Sequence, residues 1–211
     1  MARPEAGLTL VGGGRMGSAL AGGLIKSGHD AGTIAIHDPK PSSLLTNWEK
    51  AGKITLNPEP TAAGILVVAV KPQVFPSITD DLKDHIGPDT LVLSIMAGKL
   101  GTSRVARAMP NPPGRVGEGM TLLCLPENAP KGDGERLNDL LTPLGAVEGP
   151  LPEDQISAAT ALSGCGPAYA FLLAEVMAAA GVAHGLDRAL ALRLAQKTVQ
   201  GAGALMMDSD E

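Results

Sequence analysis

The sequence predicts an α/β protein in which a mostly parallel sheet is followed by an all-helical domain. Two observations support this class. In the first half of the 211 residues, short apolar runs alternate with helical patterns, as in parallel strands joined by helices. Beyond Pro152 the chain is rich in Ala and almost wholly helical in pattern. We therefore predict two domains, residues 1–152 and residues 153–211.

The first predicted strand ends in a glycine-rich turn. The apolar run 8–11 is followed at once by the pattern Gly-x-Gly-x-x-Gly, which then opens a helix. In that position the pattern is typical of a Rossmann-type dinucleotide site, where unpaired N–H groups and the positive end of a helix meet the phosphates. The simpler alternative is a plain tight turn, since 27 residues of this chain are Gly. The candidate cofactor-binding residues here are Gly12, Gly14, Arg15, Met16 and Gly17.

An acidic residue follows the second predicted strand. The helix after the glycine turn is predicted to end at Gly28, and residues 33–37 alternate as a strand with Asp38 directly after it. An acid about 20 residues beyond the glycine turn holds the adenosine ribose in a Rossmann fold. Lys40 is a cation that would instead receive a 2′-phosphate, so NADH and NADPH both stay open as cofactors. The simpler alternative is that Asp38 starts a turn before a solvated helix over 40–50.

Three further apolar runs stop abruptly at turn-forming residues. Residues 65–70 carry no polar side chain, as expected of a central parallel strand, and 91–95 and 105–109 are further candidates. Ligands of open α/β sheets lie outside the carboxyl ends of the strands, so these ends and the glycine turn should converge on one crevice. Only residues 96–104 separate the last two strands, which is short for a parallel crossover. Either that connection is tight or a helix is missing there.

Composition argues against several classes of function. A net charge of −5 and only one Trp, one Tyr and two Phe argue against a nucleic-acid partner. We find no charged-then-apolar leader and no apolar run near the roughly 20 residues that span a bilayer, so we expect a cytoplasmic protein without membrane contact. The two cysteines are isolated and the four histidines lack metal-ligand spacing, so we predict no metal site.

The last segment is predicted to form a homodimer or a larger homo-oligomer. Helices are expected over 153–162, 167–181 and 187–207, with Asp187 as the N-cap of the last. Frequent Ala lets helices approach closely, and two or three helices alone bury only a thin core. The alternative is a monomer in which these helices cover one edge of the sheet.

Five blocks of the sequence together resemble the pyrroline-5-carboxylate reductase family. They occur in that family's order over nearly the whole chain, at residues 11–17, 69–73, 107–111, 116–121 and 161–169. The resemblance implies a Rossmann domain followed by a helical dimerisation domain. It also implies reduction of 1-pyrroline-5-carboxylate to L-proline with hydride from NADPH or NADH.

The resemblance further implies which residues lie near the ligands. Those near the cofactor are Asn57, Ala69, Val70, Lys71, Pro72, Met96 and Ala97. Those near the nicotinamide and the substrate are Lys71, Asn111, Ser163 and Gly164. Simpler roles are an exposed strand end for Lys71, a turn for Asn57 and a helix-interior hydroxyl for Ser163. An iminium is a strong electrophile, so orientation and charge placement can supply most of the rate, and no residue is assigned as a certain catalytic acid or base.

The sequence departs from this family in four places. The family continues into a Ser-Pro-Gly-Gly-Thr loop that is expected to hold the substrate carboxylate, whereas this sequence ends at 208–211. The family's helix within 98–104 is absent, 112–115 differ from the usual residues, and Cys165 stands where Ser is common. We therefore expect a truncated substrate half, and a catalytically silent dinucleotide-binding dimer is the second hypothesis. A β-hydroxyacid dehydrogenase is third, because that family expects a Lys four residues after Gly166, where this chain has Ala170.

Overall fold

A computed structural model describes residues 7–96 and 105–208. It divides the chain into two units, the first ending at Thr160 and the second beginning at Ala161. The domain boundary after residue 152 stays a prediction.

A sheet of eight strands forms the centre of the first unit. The strands are β1 Leu8–Val11, β2 Ile34–His37, β3 Thr55–Leu56, β4 Ile65–Val68, β5 Leu91–Ser94, β6 Ala106–Pro110, β7 Gly119–Cys124 and β8 Gly145–Glu148. Their spatial order is β3-β2-β1-β4-β5-β6-β7-β8. Strands β1 to β6 are parallel, β7 is antiparallel to β6, and β8 is parallel to β7. The predicted fold class, a mostly parallel α/β sheet followed by helices, is confirmed.

Helices connect most of the strands and then continue into the second unit. They are α1 Arg15–Lys26, α2 Ser43–Lys50, α3 Phe75–Lys83, α4 Asp133–Leu141, α5 Ile156–Ser163, α6 Gly166–Ala183 and α7 Arg188–Asp208. Short 3-10 turns cover Ala31–Thr33, Pro112–Val116 and Thr142–Leu144. The predicted cap of the last helix is present, because Asp187 accepts hydrogen bonds from the N–H groups of Ala189 and Leu190 at 2.9 and 3.1 Å.

The sheet separates two apolar layers. On one face, α1, α2 and α4 bury leucines and isoleucines such as Leu20, Leu45 and Leu141 against β1 and β2. On the other face, Leu82 of α3 packs with Leu66 of β4. These layers cover both faces of the central strands, which is why those strands appear as unbroken apolar runs in the sequence.

The sequence did not predict every boundary correctly. Strand β4 ends at Val68, two residues before the end of the apolar run, so Ala69 and Val70 belong to the loop that follows it. Strands β3 and β8 were not predicted, since both are short edge strands with exposed positions. The expected loss of a crossover helix falls on residues 97–104, outside the described residues. Strands β5 and β6 are nevertheless parallel neighbours, with Leu93 opposite Ala106.

The second unit exposes much of its apolar surface. None of the described residues of α6 is buried, and α7 buries only Ala191 and Ala195. One stretch within the described part of the chain, Ile156–Ala183, is long and apolar enough to cross a membrane by length and composition alone, with a mean hydropathy of 1.5. This corrects the expectation that no such stretch exists. The cause is that α5 and α6 follow one another closely, with Glu175 as the only charged side chain between Ile156 and Ala183.

Candidate dinucleotide-binding site

The glycine-rich turn between β1 and α1 is held by close backbone packing. Gly12 has φ of 107°, and a Cβ there would lie 2.7 Å from the carbonyl oxygen of Ala69. A Cβ at Gly17 would overlap the carbonyl oxygen of Gly12. Neither position accepts a side chain without moving the main chain, so both glycines are required by the turn itself.

Gly14 has a different environment. It is the N-cap of α1, and a Cβ there would meet no heavy atom of the described residues within 4 Å. The first turn of α1 contains no acidic residue, so no carboxylate of the helix itself offsets the positive end of its dipole. Open space in front of a helix N-terminus is what the pyrophosphate of a dinucleotide requires. The turn therefore fits such a cofactor, with Arg15 and Met16 in the first helical turn.

The loop after β4 lies directly against this turn. The Ala69 N–H donates to the carbonyl oxygen of Val11 at 2.8 Å, and the Ala69 Cβ is 3.4 Å from the Cβ position of Gly17. Lys71 and Pro72 follow and are exposed. Because β1, β4, β5 and β6 are parallel neighbours, their carboxyl ends share one edge of the sheet. The predicted convergence of these strand ends with the glycine turn is confirmed.

Asp38 joins the end of β2 to the glycine turn. Its Oδ2 accepts a hydrogen bond from the Gly13 N–H at 2.8 Å, and its Oδ1 accepts one from the Lys40 N–H at 2.7 Å. The carboxylate is therefore placed beside the turn that fits the cofactor. The Lys40 side chain itself is exposed.

Asn57 supports Asp38 from the end of β3. Its Oδ1 accepts from the Asp38 N–H at 2.9 Å, and its Nδ2 donates to the Asp38 carbonyl oxygen at 3.1 Å. Asn57 has φ of 46°, and among the described residues it is the only one other than glycine with a positive φ. Asn tolerates this left-handed conformation better than most residues.

The remaining predicted site residues have different surroundings. Met96 is 4% exposed and its side chain packs with the apolar layer under α3, so a cofactor contact there would use its main chain. Asn111 is buried, and its Oδ1 accepts from the Met120 N–H at 2.9 Å. Ser163 and Gly164 belong to the second unit, and Ala97 lies outside the described residues. These assignments stay predictions.

Two polar clusters were not predicted from the sequence. The rings of His37 and His85 lie 4.5 Å apart, and burial together with the charge of His85 lowers the pKa of His37.

On β6, Arg107 forms an ion pair with Glu153. Burial, followed by a hydrogen bond to Glu153, raises the pKa of the Cys124 thiol to about 11. That thiol is protonated at neutral pH and is not a nucleophile. In the described residues, no group of three or more His, Cys, Asp or Glu could hold a metal ion.

The strand order and the glycine turn define a Rossmann-type dinucleotide-binding protein. Family models agree with both parts of the chain. Residues 8–98 match "NADP oxidoreductase coenzyme F420-dependent", and residues 153–211 match "Pyrroline-5-carboxylate reductase dimerisation". The chain belongs to the pyrroline-5-carboxylate reductase family, as the resemblance predicts.

Individual relatives cover nearly the whole chain. The pyrroline-5-carboxylate reductase of Mycobacterium leprae is 33% identical, in an alignment that covers 95% of this chain and 74% of that protein. The one from Methanosarcina acetivorans is 34% identical, with 94% and 78% covered. Among solved structures, a pyrroline-5-carboxylate reductase from Coxiella burnetii has a TM-score of 0.88 at 29% identity, with 99% of this chain and 82% of that one covered. The Plasmodium falciparum pyrroline carboxylate reductase with NADP bound has a TM-score of 0.83 at 29% identity, with 98% and 80% covered.

Proposed function

We propose that this protein reduces 1-pyrroline-5-carboxylate to L-proline, with hydride supplied by NADH or NADPH. One combination carries the proposal. A glycine turn that fits a dinucleotide occurs in the same chain as the dimerisation segment of the reductase family. The relatives that match over almost the full chain bear the name of this activity.

The chain's own residues bind and orient the reactants in this reaction. The N-terminus of α1 receives the pyrophosphate, and Asp38 faces the adenosine ribose. The loop at Ala69 and Val70 packs against the glycine turn. The bound cofactor supplies the hydride for the carbon of the cyclic C=N bond. Lys71, Asn111, Ser163 and Gly164 are proposed to lie near the nicotinamide and the substrate. A protonated imine is already electrophilic, so binding geometry and exclusion of water supply most of the rate.

We further propose that α6 and α7 form the interface of a homodimer or a larger homo-oligomer. The exposed apolar side chains of α6, among them Tyr169 and Phe171 at 69% and 63% exposure, support this proposal. Replacing Phe171 with Glu should shift the protein from dimer to monomer in sedimentation velocity at micromolar concentration, because charged groups are costly to bury at an interface. The control Glu175→Gln removes a charge from the same helix and should stay dimeric. An unchanged dimer of the Phe171→Glu variant would contradict this interface.

A cytoplasmic location is also part of the proposal.

The decisive experiment measures turnover. Oxidation of NADH and of NADPH is followed with 1-pyrroline-5-carboxylate as substrate, and proline formation is measured separately. We expect turnover in the ordinary enzymatic range of about 1 to 10³ s⁻¹. Binding of cofactor without turnover would instead support the catalytically silent dimer, which the family matches do not favour. Activity on a β-hydroxyacid with no activity on the imine would support the third hypothesis.

A further inference from the structure

Main-chain N–H groups fix the carboxylate of Asp38. Gly13 donates to one oxygen at 2.8 Å and Lys40 donates to the other at 2.7 Å. An ionised carboxylate has about four lone-pair positions, two on each oxygen. One hydrogen bond to each oxygen therefore fixes the group and leaves capacity on both oxygens. Two neighbouring hydroxyl groups, as on a ribose, are the donors that such a carboxylate accepts.

The main chain of Asp38 is fixed in turn by the side chain of Asn57. The amide of Asn57 accepts from the Asp38 N–H at 2.9 Å and donates to the Asp38 carbonyl oxygen at 3.1 Å. The N–H of Asn57 donates to the carbonyl oxygen of Ile36 at 2.9 Å, which ties the residue to the end of β2. Its positive φ of 46° is a conformation that L-residues rarely adopt. Asn57 thus acts on a ligand through Asp38, as a positioning residue.

The charged groups around the ribose position determine which of NADH and NADPH binds more tightly. In NADPH, a 2′-phosphate dianion replaces the 2′-hydroxyl donor beside the fixed carboxylate of Asp38. Neighbouring groups of like charge repel each other. Lys40 would have to offset this repulsion. Its side chain is exposed, and exposed ion pairs contribute little because water screens them. Asp38 is half-buried and accepts a main-chain hydrogen bond on each oxygen, so water screens the repulsion from Asp38 less than the attraction to the exposed Lys40.

We infer that Asp38, held in place by Asn57, makes this site selective for NADH over NADPH. This inference rests on the proposed function for the nature of the ligand. It goes further by naming which nucleotide is preferred and which two residues set the preference.

Equilibrium titration of nicotinamide fluorescence tests the inference without any substrate. The wild-type protein should bind NADH at least about tenfold more tightly than NADPH, as expected for like charges at a partly exposed site. Asp38→Asn keeps an oxygen acceptor and removes the charge, so the ratio of the two Kd values should fall towards one. The matched control is Asp30→Asn. Asp30 also accepts a hydrogen bond from the main-chain N–H two residues after it, that of Gly32, at 3.0 Å. Because Asp30 precedes β2, the ratio of the two Kd values should be the same in Asp30→Asn as in the wild type.

Two more variants separate positioning from direct contact. Asn57→Gly retains the positive φ without strain and removes the amide. It should raise the Kd of NADH severalfold and leave the Kd of NADPH within about twofold. A merely structural role would weaken both nucleotides together. Lys40→Ala should leave the Kd ratio unchanged, and thermal unfolding of each variant reports whether it folds.

The outcomes distinguish this inference from the proposed function. Equal affinities in the wild type, tighter NADPH binding, or loss of NADPH binding in Lys40→Ala would overturn the selectivity. Lack of turnover with 1-pyrroline-5-carboxylate, together with the expected Kd ratio, would contradict the proposed reaction and still support the inferred selectivity. Failure to bind either nucleotide would overturn both.

Discussion

Replacing Gly14 with Ala should weaken cofactor binding while leaving the fold nearly intact. Gly14 has φ of −65° and ψ of −165°, which Ala adopts readily, and its Cβ would meet no described heavy atom within 4 Å. The loss of stability should be limited to exchanging Gly for Ala at an N-cap, about 0.5–1 kcal/mol. The methyl group would occupy the space in which the backbone approaches the pyrophosphate. We expect NADH binding to weaken at least about tenfold, or about 1.4 kcal/mol.

Gly12→Ala is the matched contrast within the same turn. A non-glycine residue at φ of 107° carries backbone strain of about 1–3 kcal/mol. Its Cβ would also lie 2.7 Å from the carbonyl oxygen of Ala69, which is main chain and cannot rotate away. Overpacking of this kind costs about 1–3 kcal/mol more. The Gly12→Ala variant should therefore lose about 2–6 kcal/mol of stability.

Two measurements on each variant separate the effects. Urea unfolding at a fixed protomer concentration gives stability, and nicotinamide fluorescence titration gives the Kd of NADH. A Gly14→Ala variant that binds NADH as tightly as the wild type would show that Gly14 does not face the pyrophosphate. A Gly14→Ala variant as unstable as Gly12→Ala would contradict the open space in front of α1.

Two further predictions concern the polar clusters. Burial and His85 lower the pKa of His37, so the unfolded chain binds this proton more readily and stability should fall as the pH drops below about 6.5. His37→Gln should flatten this pH dependence of thermal unfolding, and an unchanged slope would contradict it. Glu153→Gln leaves Arg107, whose side chain is 11% exposed, without its charged partner. We expect a loss of about 1–3 kcal/mol in urea unfolding, reduced because Glu153 is partly exposed, against less than about 0.5 kcal/mol for the exposed Glu148→Gln.

The central sheet could be predicted because its strands are covered on both faces. Buried parallel strands are continuous apolar runs, so β1, β4 and β5 stood out in the sequence together with the turns that end them. Strand β3 is only Thr55–Leu56, and β8 alternates partly buried and exposed positions at the other edge. Two residues carry no periodicity, and an edge strand receives its partner from a distant part of the chain.

The site could be predicted where spacing in the sequence determines spacing in the fold. Gly12, Gly14, Gly17 and Asp38 follow strands that pair in parallel, so their separation along the chain sets their position. The role of Asn57 could not be predicted in this way. Its amide pairs with Asp38 across 19 residues, and only because a positive φ turns it back onto β2. A local pattern records neither the pairing of β2 with β3 nor that dihedral angle.

The exposed surface of the second unit is the physical reason for the homodimer proposed above. Residues 169–173 of α6 are all exposed, and consecutive helical residues at 100° intervals cover the whole circumference of the helix. A helix that is apolar all round needs cover on more than one side. α7 supplies cover on one side only, where Gly181 of α6 allows close approach to Ala191. A bilayer would also cover α6, but it would then draw in the exposed charges of α7, such as Arg193 and Lys197, at high cost. A second copy, as proposed above, would cover the apolar sides and leave those charges in water.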